Sequence, residues 1–422
     1  MDGGLKRTPA GAPSGGWLSQ FPPPLRDVAL LRLLSALGAG AVLYLTPMVF
    51  HQEAFTAAAV GEGVALAALV GAGGRLLSGL LLDRGLSCSW PLGLGVMASL
   101  LGDGVLLQAA AEGPYRWGQA LLGLAMGLYW PAIELAVPLT CAPVPSARAF
   151  ALARTADALG IATGSLAGAL LAARGWLRGI YALDMAGLGL MALLLCRAPL
   201  PAQPRRGPRT VAGRASGGVS WILPLLPLLG VVVMATAVPA LMQSALPLDL
   251  VRGGLLRPPL RQSLGAMTIG LQLGLLLLLQ WPLGRALARR PVAVGLTFSL
   301  VAFASGTLLL AASAAVTWGG WLLVAAQFPL AVGAAAFLPT ATEAVVELTP
   351  ELHRGLGLAL FSQCFALSGL TAPLVGGWLL DHQGHGMGLW LATTGALVVA
   401  LPLALRLTRP PQPPADLPSP MA

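Results

Sequence analysis

Apolar runs of about 20 residues, each long enough to cross a ~30 Å hydrocarbon layer as a helix, recur from one end of this chain to the other. Twelve can be marked: 28–50, 57–82, 90–111, 115–141, 147–173, 176–197, 219–246, 262–283, 291–313, 319–347, 354–381 and 387–408. Alternating ten-residue strands, the pattern of an outer-membrane barrel, do not occur. The pattern therefore predicts an all-α integral membrane protein. Most connections are short. The exceptions are 247–261 and 198–218, which reads APLPAQPRRGPRTVAGRASGG and falls near the middle of the chain. Its Pro, Gly and Arg content marks it as a linker. The expected organisation is a cytoplasmic tail (1–25), a six-helix bundle (26–197), the basic linker (198–218), a second six-helix bundle (219–408) and a short tail (409–422).

Composition agrees with burial in lipid. Of 422 residues, 56% are apolar and 10% charged, against roughly 25% charged in soluble domains. That excludes a soluble enzyme, a nucleic-acid binder and a disordered chain. The net charge of +9 reflects basic residues gathered at one side of the membrane. With residue 1 cytoplasmic, Lys6 and sixteen arginines fall on cytoplasmic segments and six arginines on outer loops, so both termini are expected inside. Residues 1–25 lack an apolar signal-peptide core. The four cysteines (Cys88, Cys141, Cys196, Cys364) stand singly and define neither a disulfide framework nor a metal site.

The two halves repeat. Segment four reads GQALLGLAMGLYWPA from Gly118, and segment ten reads AQFPLAVGAAAFLPT from Ala326. Aligning Pro131 with Pro339, an offset of 208, also pairs Gln119 with Gln327. An Arg-bearing connection and a Gly-rich helix follow in each half. Because segment four maps onto segment ten, the repeat keeps its membrane orientation: six plus six in parallel.

The strongest local motif is GRLLSGLLLDRG, from Gly74 to Gly85, at the end of segment two. With Gly79, Asp83, Arg84 and Gly85 it resembles the signature between helices two and three of the major facilitator superfamily, although one spacer is missing and LSCSW replaces the basic residues that follow. A degenerate copy, PLGRALARR, carries Gly284 and Arg289. The resemblance, closest in general look to efflux permeases, implies two six-helix bundles and a gating role for both motifs. Gly79 is expected to let segment two approach a neighbour closely. Asp83 is expected to meet the first turn of segment eleven, around His353 to Gly357, or to pair with Arg148 or Arg354. The Arg of the proton-coupled antiporter branch is replaced by Gln119.

Ionisable residues inside spans are costly unless paired or hydrated. Arg75, Glu134 and Asp157 fall on helices that the resemblance places beside a central cavity, whereas Asp103 and Asp184 fall on peripheral ones and are read as structural. For each of the first three the alternative is a salt bridge that fixes packing. Asp157 is the first candidate for coupling. It lies ten residues into segment five, about 15 Å deep, and shares a small-residue stripe with Gly160, Gly164 and Gly168. That stripe is expected to meet the opposite half and to set Asp157 at the cavity. Gln363 is expected at the related position of segment eleven, and with Gln119 and Gln327 it completes the candidate set. Arg32, near the end of segment one, is read as snorkelling to the interface. DHQGH, from Asp381 to His385, is too weak a pattern for a metal site.

Nothing in the sequence suggests catalysis, an ATP-binding loop or a cofactor. The expected function is secondary transport of a small solute by alternating access, in the direction of efflux, with protons as coupling ion. The expected setting is a multi-pass monomer in the bilayer of a bacterial inner membrane. The alternative is a transporter-fold protein without transport, an assembly factor or sensor for lipid, pigment or protein partners.

Overall fold

A computed structural model of the protein describes residues 17–202, 221–287, 290–350 and 354–407. Among these residues twelve helices are long and apolar enough to cross a membrane. The first six are α1 (Pro23–Gln52), α2 (Ala57–Asp83), α3 (Ser89–Gln108), α4 (Glu112–Thr140), α5 (Ser146–Ala173) and α6 (Gly179–Arg197). The second half holds α7 (Leu226–Ser244), a short α8 (Leu246–Arg252), α9 (Gln262–Leu287), α10 (Val292–Ala314), α11 (Gly319–Leu348), α12 (Arg354–Gln383) and α13 (Met387–Leu405). The face holding the start of α1 and the end of α13 is called the terminal face, and the other the distal face. Most of the central linker lies outside the described residues. Its first residues are pinned to the α2–α3 turn, where Cys88 donates its amide to Pro201 (3.1 Å) and Leu200 donates to Ser89 Oγ (2.7 Å).

Without a hydrophobic drive between helices, close packing comes from small residues. A Cβ on Gly123 would lie 2.2 Å from the Ala67 carbonyl and one on Gly127 2.3 Å from that of Gly71, so α4 lies directly on α2. The α5 stripe works likewise, but its partner is α1: a Cβ on Gly164 would be 1.8 Å from the Leu37 carbonyl, and one on Gly160 2.5 Å from that of Leu33. This corrects the expectation that the stripe meets the other half. The halves join instead through α2 with α12 and through a different face of α5 with α9. Gly79 differs from its expectation too. A Cβ there would meet nothing within 4 Å, and the close approach of α2 is made one and two turns earlier by Gly74 and Gly71.

The loop after α7 folds back into the protein instead of standing in solvent. Asp249, on α8, is fully buried and accepts hydrogen bonds from Arg257 (3.1 Å) and from the Trp390 indole (3.0 Å). Arg257 also donates to Ser313 Oγ (2.6 Å), which ties α8 to α10 and α13.

Candidate functional site: a cavity between the halves

The halves close over each other at the distal face. The first amides of α2 have no intrahelical acceptor. Thr56 Oγ1 accepts from Ala59 N (3.1 Å), while the Asp381 carboxylate, from the end of α12, accepts from Ala57 N (2.9 Å) and Ala58 N (2.7 Å). Arg252 adds a third bond to Asp381 at 2.8 Å. The α2 first turn holds no acidic residue of its own, so the negative charge that suits a helix start comes from the other half. Gln52 also donates to Gln262 at 2.7 Å. Below this layer, Cβ atoms on Gly61 and Gly377 would fall 2.3 and 2.4 Å from the Pro373 and Ala57 carbonyls. Asp381, set aside in the sequence as a poor metal ligand, is thus the polar latch of the distal seal. Asp381→Ala is expected to loosen it, raising the thiol-labelling rate of a Gln52→Cys reporter several-fold over the latched protein. An unchanged rate would show that the glycine contacts suffice.

Beneath the seal lies a cavity of about 800 Å³, lined by α1, α2, α4 and Arg154 of α5 from one half and α7, α11 and α12 from the other. Gln119 and Thr46 stand toward its distal end, and Arg75, Glu134, Arg154 and Thr342 line the part nearer the terminal face. Its walls are otherwise chiefly apolar, with Trp130, Phe361 and Phe365 among them.

A four-residue charge network sits in one wall. Arg32 is completely buried. Its guanidinium grips both oxygens of Asp157, with Nε to Oδ1 at 2.9 Å and a still shorter Nη2 contact to Oδ2. Nη2 also reaches Glu134 Oε1 at 3.1 Å, and the group lies 5.5 Å from the centre of the Trp130 ring. Arg154 holds Glu134 from the cavity side at 3.1 Å and approaches Asp157 at 4.0 Å. Two expectations are corrected here. Arg32 does not snorkel, because its helix turns it inward onto α5, where the buried carboxylate needs a counter-charge. Asp157 does not line the cavity: it sits behind Glu134 and Arg154, because the glycine stripe it shares faces α1.

The other candidates separate clearly. Arg75 lines the cavity and has no hydrogen bond or ion pair among the described residues. Gln119 lines it and is 6% exposed. Gln327 is fully buried away from it, its amide nitrogen donating to the Leu323 carbonyl at 2.7 Å. Gln363 is exposed and absent from the lining: the cavity face of α12 is formed by Phe361, Ser362, Phe365 and Ala366. Asp103 and Asp184 are buried on α3 and α6, which pack against each other, and neither lines the cavity between the halves. The Asp184 side chain occupies the space that a Cβ on Gly38 would need, 1.7 Å from Oδ1.

At the terminal face the signature motif stands open. Asp83 and Arg84 are exposed, and Gly85 ends α2 with φ +81°, a left-handed cap that suits glycine. Asp83 has no ion pair with Arg148, which instead donates to Gln20 and lies 5.4 Å over the Phe21 ring. Of the expected partners, His353 and the Arg354 side chain lie outside the described residues, as does Arg289. A Cβ on Gly284 would meet nothing within 4 Å.

Two helical bundles around a cavity closed at one face define a polytopic membrane fold. Residues 255–421 match the sequence profile of the Major Facilitator Superfamily. An MFS-type transporter of Mycobacterium tuberculosis, described as uncharacterized, is 31% identical over 137 residues. That match covers 32% of this chain but only 19% of the relative. Over nearly the whole chain the fold matches the crystal structure of the nucleoside transporter NupG, with a TM-score of 0.72 and 14% identity, covering 91% of this chain and 99% of that one. It also matches the peptide transporter POT in complex with sulfate, with a TM-score of 0.73 and 15% identity, covering 94% and 95%. The Major Facilitator Superfamily profile thus matches the C-terminal part of the chain, and the fold as a whole is similar to that of these transporters. The proteins it resembles are transporters, not enzymes.

Proposed function

We propose that this protein is a secondary transporter that carries a small solute by alternating access, its two bundles rocking around the cavity. The observation that carries this reading is a cavity of about 800 Å³ between the halves, sealed at the distal face by Asp381 and the Gly61 and Gly377 contacts. That volume suits a small organic molecule. The arginine bias supports a cytoplasmic terminal face, opposite the distal seal, in the bilayer of a bacterial inner membrane. A single copy encloses the cavity, so a monomer suffices. Efflux is the direction the sequence resemblance implies, and a cytoplasm-facing cavity is the state that loads an exported solute.

The wall network supports proton coupling, with Glu134 as the proton-accepting group. Its side chain is 30% exposed and faces the cavity, whereas Asp157 behind it is 12% exposed. A proton on Glu134 would weaken its hold on Arg154 and leave Arg32 to Asp157 alone. A non-transporting assembly factor calls for a sealed, apolar midplane, and the open cavity with its unpaired Arg75 speaks against it. Proteoliposomes under an imposed pH gradient test the reading. Solute movement is expected to follow the gradient, and Glu134→Gln is expected to abolish that dependence while the protein still folds. Flux independent of pH in both forms would overturn the coupling, and no flux across a broad panel of solutes would overturn transport.

A further inference from the structure

The cavity holds three charged side chains among the described residues: Arg75, Glu134 and Arg154. Glu134 and Arg154 belong to the wall network, in which two guanidiniums (Arg32, Arg154) meet two carboxylates (Asp157, Glu134) and the charges cancel. Arg75 stands outside that balance. No carboxylate among the described residues reaches it, and the second half contributes only uncharged groups to the lining, Thr236, Gln243, Thr342 and Ser362 being the polar ones. The cavity therefore carries one uncompensated guanidinium.

While the terminal face is open, water can serve Arg75. When the bundles close and water is excluded, an unpaired cation inside a membrane protein becomes costly. The described residues supply no counter-charge in the cavity, which leaves that part to the cargo. A guanidinium fork suits the paired oxygens of carboxylate, phosphate or sulfonate groups. The remaining lining is mostly apolar, with Trp130, Phe361 and Phe365 on opposite sides, and suits an aromatic or branched body.

We infer that the cavity takes a small amphipathic organic anion, its acidic group on Arg75 and its apolar body between the aromatic side chains of the two halves. The inference rests on the transport reading only in taking this cavity as the substrate site, and binding can be tested apart from flux.

Three matched probes separate charge from shape: 1-naphthylacetate, 1-naphthylacetamide and 1-naphthylmethylamine. Binding to the purified full chain is followed by the quenching of tryptophan fluorescence. The carboxylate is expected to bind at least about tenfold more tightly than the amide or the amine, the size of one charge-assisted hydrogen bond. Arg75→Gln is expected to erase that preference while retaining amide binding. Should that variant fail to fold, Arg75→Lys, which keeps the charge without the fork, is expected to keep the preference with weaker binding. Equal binding of all three probes, tighter binding of the amine, or binding of none overturns the inference. Anion binding without flux in proteoliposomes would keep the inference and overturn transport. Flux of neutral or cationic solutes without anion preference would do the reverse.

Discussion

Arg32→Leu is expected to destabilise the protein strongly. Arg32 is fully buried and holds both oxygens of Asp157 as well as Glu134. Taking it away leaves Asp157 in a low-dielectric wall with only Arg154, 4.0 Å away and half exposed, to answer it. Breaking a buried pair from one side costs about 3–5 kcal/mol, whereas replacing both members with apolar residues is often neutral. The double variant Arg32→Leu/Asp157→Leu should therefore recover most of the melting temperature lost by Arg32→Leu alone. A thermal melt in detergent reads both. If Arg32→Leu melts like the parent protein, the buried pair is not what holds α1 to α5.

The second large effect is steric. Gly164→Val is expected to prevent folding, because its Cβ would fall 1.8 Å from the Leu37 carbonyl, a backbone atom that cannot rotate aside. Either α1 and α5 part, taking the Arg32–Asp157 pair with them, or the chain does not assemble. Gly79→Ala is the contrasting case. Its Cβ meets nothing within 4 Å in this conformation, and Ala is the better helix former by about 1 kcal/mol. Folding should be unchanged or improved. If Gly79 serves closure of the terminal face, as the signature resemblance implies, flux should fall although stability does not. Monomer yield by size-exclusion chromatography, with flux for Gly79→Ala, separates the two roles. A well-folded Gly164→Val would contradict the packing described here.

These effects mark where local sequence informs and where it stops. The twelve spans were legible because a lipid-crossing helix is written in consecutive residues. Glu134 and Arg75 were legible as cavity residues because their helices could be placed by resemblance. Arg32 was misread because its partner lies 125 residues away, and nothing near it distinguishes an inward from a snorkelling arginine. The α5 stripe was legible as a close-packing face, yet a stripe does not say which neighbour fills it, and choosing the other half instead of α1 misplaced Asp157 by one layer. For Gln363 the error is one of direction: one residue along a helix is about 100°, enough to separate exposed Gln363 from Ser362 in the cavity. Asp381 was missed because its partners are two backbone amides of α2, which leave no trace in side-chain patterns, and an arginine 129 residues away.

Alternation of the two faces is the central claim, and paired distances test it most directly. One spin-label pair would sit at Gln52→Cys and Gln262→Cys, whose native side chains are hydrogen-bonded at 2.7 Å across the distal seal. A second would sit at Arg84→Cys and Leu358→Cys, exposed positions at the terminal ends of α2 and α12. Pulsed dipolar spectroscopy on each pair, across a pH series and with the naphthyl probes, should show a distal distance that lengthens as the terminal one shortens. Distances that stay fixed under every condition, or that lengthen together, would contradict alternating access in this protein.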